Sequence, residues 1–270
     1  MRLKGKVALI TGSSRGIGKE FAIGFAKEGA DVIINGRNLE KAKVVAKEIE
    51  GLGVKSMAIG ADVSLSQDVT RMVEEAINVF GRIDLLVNNA GLNPFLLEAE
   101  KIKEEGWDQV LDVNLKGVFL CCQAVGKKMI QQGGGKIINI SSAAGILGEQ
   151  GLLPYCVSKA GGMVLTRILA YEWSRYNILV NAIAPGVVAG GMNTPILNKE
   201  ILVSGLIQQV PLKRLGNPEE IVKIALFLAS EDSSYINGTT IVADGGMTGY
   251  RPVGFIDLIA DMMKKKSANP

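Results

Sequence analysis

The chain contains no histidine. That absence excludes Ser-His-Asp triads, histidine zinc sites and imidazole acid/base chemistry, so any proton transfer must use another side chain. Cysteine is scarce as well. Cys121, Cys122 and Cys156 are too few for a four-cysteine metal site, and the adjacent Cys121 and Cys122 are poorly placed to bridge one another. No metal is expected, and a reducing, cytoplasmic compartment fits this usage. No run of about eighteen apolar residues is free of charges and turn residues, which predicts no transmembrane helix. Met1 to Lys6 leads straight into the short apolar stretch Val7–Ile10, without the length or cleavage pattern of a signal peptide. The net charge of +3, with charged residues interspersed, is too small to suggest nucleic acid or a membrane as the main partner.

What is present is a regular alternation. Short apolar, β-branched runs recur at Val7–Thr11, Val32–Asn35, Ser56–Ala61, Leu85–Asn89, Lys136–Ser141, Leu179–Ala184 and Thr239–Ala243. Helical patterns fall near 16–28, 39–51, 66–80, 101–132, 155–176, 195–208 and 217–229. Runs that are apolar throughout are what strands buried on both faces require. The expectation is therefore an α/β fold: one Rossmann-like, doubly wound parallel sheet of about seven strands, with helices on both faces. Asn217 before Pro218-Glu219-Glu220 reads as a helix cap, and Gly133-Gly134-Gly135 as the end of the long helix. No linker or repeat divides the chain. Residues 1–246 read as one cofactor-binding and catalytic domain, with a substrate loop at about 187–215, and residues 247–270 as an extension.

Thr11-Gly12-Ser13-Ser14-Arg15-Gly16-Ile17-Gly18 joins the first strand to the first helix. Such glycines let the backbone approach a pyrophosphate, whose charge meets backbone amides and the positive end of the helix dipole. Alone, the loop is weak evidence, and a tight strand-to-helix turn is the alternative reading. The second strand ends in Asn35-Gly36-Arg37-Asn38, where a carboxylate would hold the ribose hydroxyls of NAD. Gly36 removes that repulsion, and Arg15 and Arg37 offer guanidinium groups to a 2′-phosphate, which favours NADP(H) over NAD(H). The alternative is that both arginines are solvated surface residues.

Tyr155 and Lys159 stand one helical turn apart and so share a face. A nearby ammonium is expected to lower the tyrosine pKa from about 10 and make the phenol usable near neutrality. By itself the pair is more often a surface tyrosine beside a solvated lysine. Upstream, Asn139-Ile140-Ser141-Ser142 and Asn88-Asn89-Ala90-Gly91 close two strands at the edge where ligands sit in open parallel sheets. Ser141 reads as loop or cap chemistry, and Asn114 alone as a structural residue bonding main chain within its helix.

Together and in this order, Thr11–Gly18, Asn88–Gly91, Asn114, Ser142, Tyr155 and Lys159 resemble the short-chain dehydrogenase/reductase family over about residues 5 to 247. The run of motifs is similar to 3-oxoacyl-[acyl-carrier-protein] reductases and to gluconate 5-dehydrogenase-like members. The resemblance implies that Ser142 orients the substrate oxygen, Tyr155 is the acid/base, Lys159 binds the nicotinamide ribose and Asn114 supports a proton relay. It further implies cofactor contacts at Gly12, Ser14, Arg15, Gly16, Ile17, Gly18, Arg37, Asn38, Asp62, Val63, Asn89, Ala90, Gly91, Tyr155, Lys159, Pro185, Gly186 and Val188. Where the family often carries a threonine five residues after the proline, this chain has Gly190, and Thr194 is the candidate in its place. Gly190-Gly191 suggest a hinge for a lid over roughly 190–212.

A homotetramer is implied, with the helices near 101–132 and 155–176 forming one interface. In the tail, Phe255, Ile256, Leu258, Ile259, Met262 and Met263 mark one helical face, expected to pack across a subunit boundary or over the pocket. The expected pocket wall is Asn93-Pro94-Phe95, Ala143-Ala144, Glu149–Leu153 and Val187–Met192. It mixes apolar residues with few polar ones. The resemblance implies a ketone or secondary alcohol as substrate: a 3-oxoacyl thioester, or a small polyol, sugar or cyclic ketone. An NAD-dependent alcohol dehydrogenase of the same family, a redox-neutral epimerase or lyase, and a dinucleotide sensor are the rivals.

Overall fold

In the computed structural model, which describes residues 1–190 and 200–249, seven strands form one sheet in the order β3-β2-β1-β4-β5-β6-β7, every neighbouring pair parallel. They are β1 (Val7–Ile10), β2 (Asp31–Gly36), β3 (Ser56–Gly60), β4 (Leu85–Asn88), β5 (Gly135–Ile140), β6 (Ile178–Pro185) and β7 (Thr240–Ala243). The order reverses direction between β1 and β4, and at such a switch point the loops at the carboxyl ends of the strands part to leave a crevice. The central strand β1 is buried at all of Val7, Ala8, Leu9 and Ile10, whereas the edge strands β3 and β7 are mostly half-buried.

Successive side chains of a strand point to opposite faces, and the core divides accordingly. Ala8, Ile10, Val32 and Ile34 pack with Phe21 and Phe25 of α1 (Gly16–Lys27), Ile49 of α2 (Leu39–Glu50) and Ile221 of the later helix α9. Val7, Leu9 and Ile33 pack on the other face with Met72 of α3 (Ser66–Phe80) and with residues of two longer helices, α5 (Gly117–Gln132) and α7 (Leu153–Trp173). Local signals fix the ends. The Asn38 side chain accepts the Lys41 N–H at 3.0 Å and caps α2, and Gly133 closes α5 in the left-handed conformation, φ 86°. The Glu220 carboxylate accepts the Asn217 N–H at 2.8 Å at the start of α9 (Pro218–Ala229) and pairs with Arg214.

Three expectations need correction. The helix expected over 101–132 is a short turn at Ala99–Lys101, then α4 (Glu104–Leu111), a π-helical turn at Asp112–Lys116, then α5. Lys103, extended at φ −80° and ψ 151°, starts α4 afresh. The π turn inserts one residue into the helical repeat and carries the buried Asn114. The helix expected over 155–176 begins two residues earlier, with Pro154 in its first turn, and ends in a tighter turn, Ser174–Tyr176. Ala144, expected as pocket wall, opens a single helical turn, α6 (Ala144–Leu147), where no helix was expected.

Helix α8 spans Glu200–Gln209. Thr194, the first part of the lid and the apolar face of the tail fall at 191–199 and 250–270, outside the described residues. Among the described residues no helix is long and apolar enough to cross a membrane, and Cys121, Cys122 and Cys156 are free and buried.

Candidate active site

The loops that follow β1, β4, β5 and β6 meet at the carboxyl edge of the sheet, and buried side chains bind them to one another. Gly12 sits at φ +64°, and a Cβ there would lie 2.8 Å from the Ala90 Cα, so glycine is required both for the turn and for the approach of the β4 loop. Thr11 Oγ1 accepts the N–H groups of Asn89 and Ala90, each at 3.0 Å, and Asn89 Nδ2 donates back to the Thr11 carbonyl at 2.9 Å. On the other side, Asn35 Oδ1 accepts the Gly12 N–H at 3.2 Å while its Nδ2 donates to the Ala61 carbonyl at 3.2 Å. Ser13 Oγ accepts the Asn35 N–H at 3.1 Å. Thr11, Ser13 and Asn35 thus hold the glycine loop, yet only the glycines announced it. The available signal was a polar residue ending an otherwise apolar strand.

Arg15 occupies the cap position of α1 without a side-chain cap, so the first-turn amides at Gly16, Ile17 and Gly18 face the crevice with the helix dipole behind them. Gly36 has a closer neighbour than the charge argument anticipated. A Cβ there would lie 2.6 Å from Ser14 Oγ. Arg15, Arg37 and Asn38 are exposed around this corner, and the Asn38 side chain is already committed to capping α2. The Asp62 carboxylate accepts both the amide (3.0 Å) and the hydroxyl (2.7 Å) of Ser64, turning the chain after β3. The neighbouring Val63 is buried.

Gly91 lies against two of the expected site residues: a Cβ on it would be 3.3 Å from Asn114 Oδ1 and 3.6 Å from Lys159 Nζ. Asn114 does bond main chain, but of a different segment from the one expected. Its Oδ1 accepts the Leu92 N–H at 2.8 Å, and its Nδ2 donates to the Leu92 carbonyl at 2.9 Å and to Ser158 Oγ at 3.3 Å. The π turn makes this possible by carrying Asn114 away from its own helix ladder. Pro185 closes β6, its carbonyl accepting the Ala143 N–H at 2.8 Å. Gly186 passes so close to Asp244 that a Cβ would meet its Cα at 2.7 Å, and Val188 is buried where the chain bridges to Gly216.

Ser142, Tyr155 and Lys159 come together. The Ser142 hydroxyl lies close enough to the Tyr155 phenol to favour its ionised form, and Lys159 Nζ lies 5.7 Å from the centre of the tyrosine ring. The buried ammonium donates to the Ile140 carbonyl at 2.8 Å. Here the expected sign is reversed. Burial raises the Tyr155 pKa, outweighing the lowering by Ser142, and the same burial pulls Lys159 down to about 8. The phenol is therefore neutral at neutral pH. Of the expected pocket wall, the Phe95 ring packs against Gly106, and the Leu97 N–H donates to the Gly151 carbonyl at 3.1 Å, joining the loops after β4 and before α7.

The lysine shift makes a pH prediction. Between about pH 8 and 10.5 the unfolded chain still carries the Lys159 proton that the folded chain has lost, so this group adds folded-state stability as pH rises through that window. Cys122, pushed up to about 12 by burial, acts in the opposite sense once pH passes 9.0. In urea unfolding of the parent and of Lys159→Met at about pH 7.5 and about pH 9.5, the stability difference between them should move in the parent's favour at the higher pH. A difference that stays constant would show that the buried amine does not titrate in this range.

With this geometry in view, comparison with known proteins is informative. A family model described as enoyl-(acyl carrier protein) reductase matches residues 12–248. The 3-oxoacyl-[acyl-carrier-protein] reductase of Thermotoga maritima is 44% identical over 249 residues, covering 92% of this chain and 99% of that protein. The same-named enzyme of Staphylococcus epidermidis is 42% identical over 243 residues, covering 90% and 98%. Among solved structures, a gluconate 5-dehydrogenase from Burkholderia cenocepacia in complex with NADP and tartrate is 37% identical, with a TM-score of 0.89 over 93% of this chain and 98% of that one. An NAD+-bound xylitol dehydrogenase is 30% identical, with a TM-score of 0.88 over 91% and 100%. The chain belongs to the short-chain dehydrogenase/reductase family, dinucleotide-dependent oxidoreductases acting on CH–OH groups.

Proposed function

We propose that this enzyme interconverts a ketone and a secondary alcohol with NADP(H), Tyr155 serving as the acid/base. The observation that carries the reading is the meeting of Ser142, Tyr155 and Lys159 at the carboxyl edge of the sheet, beside a glycine loop whose close contacts exclude side chains. The bound dinucleotide would supply or accept the hydride. The rest falls to the chain's own residues. In the reducing direction the neutral phenol of Tyr155 donates its proton to the substrate oxygen, and Ser142, beside that phenol, orients the same oxygen. Lys159 places a positive charge near the ring, stabilising the phenolate left behind, and holds the nicotinamide ribose. Asn114 has its amide committed to Leu92 and Ser158, so its support of the proton relay is to fix the backbone beside Lys159.

The adenosine end supports NADP(H). No carboxylate stands at position 36, and the exposed guanidinium groups of Arg15 and Arg37 flank the corner where a 2′-phosphate would lie. The first-turn amides of α1 suit the pyrophosphate, with Ser14 beside them, and Asn38, Asp62, Val63, Asn89, Ala90, Pro185, Gly186 and Val188 line the remaining path. Thr194 belongs to the same proposal on sequence grounds. For the substrate, the relatives named above favour a 3-oxoacyl thioester, with a small polyol or sugar as the alternative carried by the solved structures.

The homotetramer implied by the family is supported by an apolar hollow of about 610 Å³ lined by Leu111, Leu115, Phe119, Val164, Leu165 and Ile168, on the face formed by α4, α5 and α7. Large apolar side chains left at a surface ordinarily find a partner.

Three measurements follow. Tyr155→Phe should lose nearly all turnover while retaining NADPH binding, measured by nucleotide fluorescence; substantial residual turnover would refute the acid/base role. The parent should show a higher kcat/KM with NADPH than with NADH, and Arg37→Asp should narrow or reverse that ratio by removing a cation and adding an anion. A parent preferring NADH sinks the cofactor assignment. In light scattering after gel filtration the parent should run as a tetramer and Phe119→Asp as a smaller species, and a monomeric parent excludes the assembly.

A further inference from the structure

Ser141, adjacent to Ser142, is the residue whose importance neither the motifs nor the reaction chemistry demands. It lies just beyond β5, 6% exposed, with its N–H bound to the Ile183 carbonyl at 2.7 Å. Its hydroxyl donates across eighteen residues to the main-chain carbonyl of Lys159, at 2.8 Å. The same lysine returns to β5 from its other end, its ammonium donating to the Ile140 carbonyl at 2.8 Å. The loop beyond Ser141 closes on the same helical turn. Gly145 of α6 approaches so tightly that a Cβ would lie 2.8 Å from the Ala160 N and 2.9 Å from the Lys159 carbonyl carbon.

Two positions before Ser141, and therefore on the same face of the strand, Asn139 Nδ2 donates to Thr166 Oγ1 at 2.9 Å. Helix α7 is thus fastened to β5 at points seven residues apart along its axis, about 10 Å. Only the first of these fastenings falls on the turn that bears Tyr155 and Lys159.

We infer that Ser141 is a positioning residue for the reaction: its hydroxyl sets the height of α7 against the end of β5, and thereby the distance from Ser142, on the strand side, to Tyr155 and Lys159, on the helix side. Ser141 and Ser142 both reach the turn of α7 that bears Tyr155 and Lys159, one at the Lys159 carbonyl and the other at the Tyr155 phenol. The loop cannot shift toward or away from Tyr155 without stretching the bond to the Lys159 carbonyl. A displacement of about 1 Å at reacting groups can cost on the order of 100-fold in rate, so a contact that touches neither substrate nor cofactor can still govern turnover.

This inference rests on the acid/base reading of Tyr155, and the experiment separates the two. Steady-state kinetics with NADPH and a 3-oxoacyl thioester are measured for the parent, Ser141→Ala, Ser141→Thr, Gly145→Ala and Tyr155→Phe, at a temperature where circular dichroism shows each to be folded. Ser141→Ala should lose on the order of 10-fold or more in kcat, with KM for both substrates and the fluorescence-measured affinity for NADPH within about twofold of the parent. Ser141→Thr, which keeps the hydroxyl, should recover most of that loss. Gly145→Ala disturbs the same contact from the opposite side without touching Ser141, should lower kcat in the same way, and decides the matter if Ser141→Ala does not fold. Parent-like kcat in a folded Ser141→Ala, or in Gly145→Ala where that variant decides, overturns the positioning role; so does a folded Ser141→Thr as slow as the alanine variant. If Tyr155→Phe retains turnover, the acid/base reading has failed. If it is inactive while Ser141→Ala is normal, only the positioning role has.

Discussion

A parallel sheet that opens a crevice at its carboxyl edge must end each strand in irregular backbone, next to a place that has to stay empty of side chains. Backbone amides and carbonyls there have lost their ladder partners, and leaving them unpaired at the edge of a buried core costs about 1–3 kcal/mol each. This chain meets the constraint with asparagine. Asn35 at the end of β2 serves Gly12 and Ala61. Asn88 at the end of β4 and Asn139 in β5 bond each other at 2.9 Å across the sheet, and Asn139 goes on to Thr166 of α7. At the opposite edge of the sheet, Asn181 in β6 does the same for the segment entering β7, accepting the Thr239 N–H at 3.1 Å and donating to the Ile236 carbonyl at 2.8 Å. A carboxamide both donates and accepts without carrying charge, so its burial avoids the desolvation cost that a carboxylate or ammonium pays. The glycine loop and the pairing of β5 with α7 depend on these buried amides.

That dependence explains which features could be read from sequence. The strands were legible because burial on both faces leaves nearly unbroken apolar runs, and the observed strands fall within one or two residues of those expected. The start of α9 was legible because its cap uses side chains three residues apart, Asn217 and Glu220. The interruption around Asn114 was not, because a π turn adds one residue without disturbing the apolar pattern on either side. Ser141 read as a loop serine, since its partner lies eighteen residues away and is a main-chain carbonyl, which no side-chain pattern records.

The site itself divides in the same way. Ser142, Tyr155 and Lys159 were recognisable as a set because their order and spacing are themselves the signal. The electrostatics were not, because spacing carries no information about depth. One turn of helix places a lysine near a tyrosine, but the Nζ settles 5.7 Å from the ring centre and bonds to Ile140, and the surrounding protein disfavours charge on both groups. In a chain without histidine, the outcome is a buried phenol that keeps its proton at neutral pH, with the Lys159 amine close to its ring.

The contact between Gly36 and Ser14 bears on the history available to such an enzyme. An aspartate or glutamate at position 36 would bring its Cβ to within 2.6 Å of the Ser14 hydroxyl. The hydroxyl is the free end of a rotatable side chain and would have to turn aside, so any residue larger than glycine at the end of the second strand is felt directly in the glycine loop, and the two positions change as a coupled pair.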